Sequence, residues 1–166
     1  TTFVSVLNDR ICQRIVELVR NHHHWERIGW CWLAFGSEGR LEQTFATDQD
    51  NGLIFVSHGE AGPSEVRARL IPFAREVNEA LDACGYPLCK GNVMASNPEL
   101  CLSGAEWKAK MEGWLHNSDP KALLDASIYF DFRALHGDGR LVTELRDWFL
   151  GATRARPNFL RLMAEN

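Results

Sequence analysis

An α/β (α+β) fold, with a small mixed sheet flanked by helices and a helical C-terminal region after it, is predicted by three observations. Apolar residues recur at helical spacing in 4–22 and 64–83. Three short apolar runs, 30–35, 50–56 and 88–95, are bounded by Gly, Pro and polar turn residues and read as strands. From 104 onward the pattern is helical alone. The 166 residues, 45% hydrophobic and 24% charged, suit one domain with a small helical appendage. We divide the chain into a core with its N-terminal helix, 1–103, and a helical region, 104–166.

Each element has its own justification. Val4, Leu7, Ile11, Ile15, Leu18 and Val19 define the stripe of the first helix. The histidines at 22–24 fall at its end, where they suit the helix dipole; consecutive residues diverge too far to share one ion. "WCWLAF" stops at Gly36 and predicts a buried strand, and "SEGRLEQ" after it predicts a short helix. "DNGLIFV" is the second strand. Val66, Leu70, Phe73, Val77 and Leu81 mark the next long helix, which Gly85 and Pro87 close. "LCKGNVMA" is the third strand, weakened by Gly91. Trp107, Met111, Trp114 and Leu115 begin the helical region. Leu123, Leu124, Ile128, Phe132 and Leu135 continue it, as do Leu141, Leu145, Trp148 and Phe149, with breaks at Pro120 and "HGDGR". The tryptophans are expected in the core, with Trp107 and Trp114 on one helix face.

The net charge of −4 argues against nucleic acid or an anionic membrane as partner. No apolar run approaches the ~20 residues of a membrane helix, and no membrane association is expected. Five cysteines, odd in number and without a CxxC, read as reduced and mostly buried, which implies a cytoplasmic protein. The chain begins with Thr1 and is expected to be a piece of a longer one, short of some helix at its C-terminal side.

The stretch 31–55, "CWLAFGSEGRLEQTFATDQDNGLIF", carries the chemistry. Gly36-Ser37 falls where a strand gives way to a helix, so unpaired backbone N–H groups and the positive helix end favour an anion there. Gly36 lets a phosphate approach the backbone, Ser37 adds a hydroxyl, and Arg40 adds a fork for phosphate oxygens. Lys90 is a further phosphate contact or, equally, a solvated strand-end lysine. Asp48 and Asp50 are one residue apart, so an extended backbone turns both to one side. Two like charges there call for a hard cation such as Mg²⁺ or Mn²⁺. A DxD by itself is more often a pair of turn-capping aspartates. Its position, opening an apolar strand just after a Gly-Ser turn, is what makes it specific.

This arrangement resembles the signature of the DNA polymerase beta-like nucleotidyltransferase superfamily, Gly-Ser followed by Asp-x-Asp on the next strand. It is most similar to the branch related to the uridylyltransferase that modifies the PII nitrogen-signalling protein. "CKGNVMASNP", "EWKAKMEGWL" and "ASIYFDFRALHGDGRL" carry the resemblance along most of the chain. It implies a polymerase-beta-type core in which Gly36 and Ser37 hold the terminal phosphates of UTP or ATP. Asp48 and Asp50 would hold the Mg²⁺ ions and act as the catalytic pair, and Arg40 would contact phosphate. It also implies nucleotidyl transfer, uridylyl in the nearest analogue, to a protein or small-molecule hydroxyl. In that branch the domain is joined to regulatory CBS or cyclic-nucleotide-binding domains and serves signal transduction. The superfamily has a third carboxylate on a later strand. Here the candidates are Asn92, which cannot act as a base, and Asp131, which the periodicity places on a helix in a structural role beside Arg133. Without that carboxylate the alternative is a nucleotide-binding sensor or regulatory module that does not turn over.

Overall fold

The computed structural model describes residues 2–36, 48–117 and 119–165. The predicted helix at 37–43 lies outside them. Helix α1 (Thr2–Arg20) leads into strand β1 (Ile28–Phe35), and strand β2 (Asn51–Ser57) precedes the long helix α2 (Pro63–Ala83). A 3-10 turn, Pro98–Leu100, opens strand β3 (Cys101–Ser103), which runs directly into helix α3 (Gly104–His116). Helix α4 (Pro120–Ala126), a second 3-10 turn (Ser127–Phe130), strand β4 (Phe132–Gly137) and helices α5 (Gly139–Arg154) and α6 (Pro157–Glu165) complete the order.

The four strands form one sheet in the order β3-β2-β1-β4. β1 is antiparallel to β2, from Ile28 opposite Ser57 to Ala34 opposite Asn51. It is also antiparallel to β4, with an irregularity between Trp32 and Leu33. β3 runs parallel to β2. The mixed sheet flanked by helices is thus the predicted fold class.

Both faces are covered, which explains why "CWLAF" is apolar without interruption. Side chains alternate along a strand. Trp32, Leu53 and Phe55 therefore join Val16 of α1 and Phe73 and Val77 of α2 on one face. Cys31, Leu33, Phe35 and Ile54 meet Trp107 and Met111 of α3 and Leu145 of α5 on the other. The buried Trp107 indole N–H donates to the Leu53 carbonyl at 3.0 Å, so the ring anchors α3 to β2 without leaving a polar atom unpaired. Ser103 and Glu106 form a reciprocal cap at the start of α3. Glu106 also accepts both fork hydrogen bonds from Arg67 of α2.

Several expectations are corrected. Residues 88–95 form turns, not a strand: Asn92 has φ 57 and its N–H donates to the Cys89 carbonyl. Residues 132–137 are strand, not helix. On α1 the buried face is Ser5, Asn8, Cys12, Val16 and Val19, while Leu7 and Leu18 are exposed. The stripe is rotated because Asn8 turns inward to accept a hydrogen bond from the Tyr86 hydroxyl at 2.8 Å. Cys12, Cys31 and Cys101 are buried, Cys89 is partly so and Cys84 is exposed; none of the five is in a disulfide. The histidines near the end of α1 do converge, though on an acid: His22 Nδ1 and His23 Nε2 lie 2.9 and 2.6 Å from the two oxygens of Glu76. No described helix is long and apolar enough to cross a membrane.

Candidate functional site

The site lies where β1 ends. Its last residue, Phe35, donates its N–H to the Asp50 carbonyl at 3.0 Å, extending the β1–β2 ladder one step past the strand. On the other side the Gly36 N–H donates to the Asp131 carbonyl at 3.1 Å. Gly36 is thus held between the start of β2 and the start of β4. Its φ of +60 is a left-handed conformation that favours glycine. A Cβ there would come within 2.9 Å of the Ile128 side chain and 3.7 Å of Asp50 Oδ2. Gly36 therefore lies between the Ile128 side chain and the carboxylate of Asp50.

Residues 48–51 alternate in burial. Asp48 is exposed, Gln49 buried, Asp50 half-buried and Asn51 buried. Gln49 and Asn51 enter a closed polar network with Asn78 of α2. Gln49 Nε2 donates to the carbonyls of Asn78 and Tyr86, each at 2.9 Å. Asn78 Nδ2 donates to Gln49 Oε1 at 2.8 Å and to Asn51 Oδ1 at 3.0 Å. The backbone N–H groups of Ala95 and Ser96 donate to Asn51 Oδ1 and Asn78 Oδ1. Two backbone bonds, Gln49 N–H to the Pro87 carbonyl and Asn51 N–H to the Val93 carbonyl, tie the segment to the turns at 87–93. A satisfied buried network of this kind fixes the backbone it involves.

Asp48 and Asp50 take the opposite direction. Burial pushes the Asp50 carboxyl up to about 6; the Cys89 thiol pulls it down, and the charge of Asp48 adds a smaller upward push. That thiol donates to Asp50 Oδ1 at 3.5 Å, while Oδ2 faces Gly36. Among the groups that set the titration of Asp50 there is no lysine or arginine. Two carboxylates on one side, one of them half-buried and without an offsetting lysine or arginine among the described residues, make a hard-oxygen donor pair. That chemistry fits Mg²⁺ or Mn²⁺.

The other predicted site residues fall as follows. Ser37 and Arg40 lie outside the described residues. Lys90 is exposed in the turn that begins at Cys89. Asn92 stands in the same turn, exposed, and not on a strand. Asp131 lies between the 3-10 turn and β4, and not within a helix. It meets Gly36 through its carbonyl, while Arg133 pairs with Asp9 of α1 at 2.6 Å.

Sequence reasoning missed Gln49, Asn51 and Asn78, which hold the carboxylate segment, and the wall formed by Ile128 and Tyr129. The signal for the first group was in "TDQDN". If the aspartates share one side of an extended backbone, Gln49 and Asn51 must share the other and need buried partners.

A family model described as "Putative nucleotidyltransferase DUF294" matches residues 1–121. No curated protein and no solved structure matches the chain.

Proposed function

The chain belongs to the nucleotidyltransferase family whose model covers its residues 1–121, and from that premise we propose that it transfers a nucleotidyl group from a nucleoside triphosphate to a hydroxyl. One observation carries the reading: the Asp50 carboxylate, half-buried beside Asp48, lies next to Gly36, and no cation among the described residues offsets it. Asp48 and Asp50 would hold Mg²⁺ or Mn²⁺. When bound, the ion neutralises triphosphate charge and supports an in-line displacement at phosphorus. Gly36 gives the phosphates close access to the backbone, and Ser37, Arg40 and Lys90 are the remaining phosphate contacts. UTP with a protein hydroxyl as acceptor is the nearest analogue by resemblance, within a longer chain carrying regulatory domains.

A second reading, nucleotide binding without turnover, is favoured by the two candidates for a third carboxylate. Asp131 meets Gly36 through its backbone carbonyl, and Asn92 stands in an exposed turn. Titration calorimetry with ATP and UTP, with and without Mg²⁺, tests the shared core of both readings. Affinity is expected to depend on Mg²⁺ and to be lost in Asp48→Ala/Asp50→Ala with the fold intact by circular dichroism. Unchanged affinity in that double variant would sink both. Incubation of the protein with labelled UTP or ATP and a cell lysate then separates them, since only transfer labels an acceptor.

A further inference from the structure

The short segment Ser127–Asp131 closes one side of the candidate site. Ile128 sits against Gly36, and the Asp131 carbonyl takes the Gly36 N–H. Tyr129, between them, has its ring fixed twice. It stacks on Trp114 of α3, centroids 5.0 Å apart and planes 10° apart. It also meets Phe35, the residue before Gly36, edge-on at 5.4 Å. The hydroxyl end is close enough to Asp50 and Cys89 for their charges to be felt. A tyrosine hydroxyl is protonated at neutral pH and can donate. Yet it makes no hydrogen bond to either, nor to any other group among the described residues. Packing alone would be served as well by phenylalanine, and a half-buried hydroxyl is normally satisfied by something.

We propose that the Tyr129 hydroxyl is a substrate-binding group that donates a hydrogen bond to the triphosphate held at Gly36 and the aspartate pair. This rests on the nucleotide-binding reading above. The acceptor is assigned to the phosphates because the ring is clamped beside Phe35 and Ile128, the two residues that flank Gly36. A neutral donor set among acids also suits an oxyanion whose charge a metal has already reduced.

The test is Tyr129→Phe, which keeps both ring contacts and removes one oxygen. Calorimetry would compare wild type, Tyr129→Phe and Asp48→Ala/Asp50→Ala for magnesium complexes of ATP, UTP and inorganic tripolyphosphate. The expected result is a loss of about ten-fold or more in affinity for all three in Tyr129→Phe, the scale of a hydrogen bond to a charged group, with an unchanged melting temperature. Unaltered affinity, while the double aspartate variant loses binding, overturns the proposal and leaves the nucleotide reading standing. A loss for ATP and UTP but not for tripolyphosphate also overturns it, because the contact would then be to the nucleoside. Absence of binding by wild type to all three removes the reading and the proposal together.

Discussion

Two pairs of polar residues interleave along 48–51, and the fold treats them in opposite ways. Gln49 and Asn51 are buried and their polar groups are met by Asn78, Tyr86 and the backbone at 95. Among the described residues, Asp48 and Asp50, on the other side of the same backbone, have each other's charge and one weak thiol contact. The contrast separates what the fold needs from what it tolerates. One pair determines where the segment lies; the other is presented by it at a cost in stability.

The largest expected effect comes from breaking the satisfied side. Asn78→Leu removes a partner from Gln49 Oε1, Asn51 Oδ1 and the Ser96 N–H together. Only the Ser96 N–H is left unpaired, because Gln49 Oε1 and Asn51 Oδ1 keep donors in Asn51 Nδ2 and the Ala95 N–H. That group costs about 1–3 kcal/mol and the other two lost bonds about 1 kcal/mol each, so chemical denaturation should show a loss of roughly 3 kcal/mol or more. A loss under about 1 kcal/mol would mean that water replaces the amide. Next is Gly36→Ala, which sets a side chain against Ile128 at a left-handed backbone position. A destabilisation of about 1–3 kcal/mol is expected from such strain, with weaker Mg²⁺–nucleotide binding than the stability loss explains.

The tolerated side should respond with the opposite sign. Because the folded pKa of Asp50 lies near 6, above its ordinary value of 3.8, the folded state holds the proton more tightly than the unfolded chain. Metal-free stability should therefore fall as pH rises from about 4 to about 6 and level off beyond. Asp50→Asn removes this slope. Its melting temperature at pH 7 should exceed that of wild type while Mg²⁺–nucleotide binding is lost. A lower melting temperature would show that Asp50 is needed for folding. The smallest effect is expected two residues before Asn78. Glu76 is held by His22 and His23 on the surface, which lower its pKa. Glu76→Gln should change stability by only a few tenths of a kcal/mol in a melting experiment, although the number of hydrogen bonds lost is similar.

The sequence made β1, β2, α1 and α2 legible because each is long enough for its period to be read. It misled at Phe132–Gly137. This strand is buried on both faces, so Phe132 lies in one core and Leu135 in the other. Apolar residues three apart on opposite faces of a strand have the same spacing as two on one face of a helix. β3, at three residues, is too short to show alternation. Val93 and Met94 suggested a strand at 88–95, but the left-handed Asn92 turns the chain there. Within the site, the Gly36 and Asp48/Asp50 spacing was readable because it is local. The wall from Ile128 to Asp131 was not, since only tertiary pairing brings it to Gly36.

The strand that completes the sheet lies past residue 121, where the family match stops. A chain shortened to that match would leave one whole edge of β1 bare, offering a row of open amides and carbonyls to any passing strand. It would invite self-association, and the candidate site would lose Ile128 and Tyr129 beside Gly36. Recombinant work on this chain would do better to keep β4 than to stop at the motif boundary.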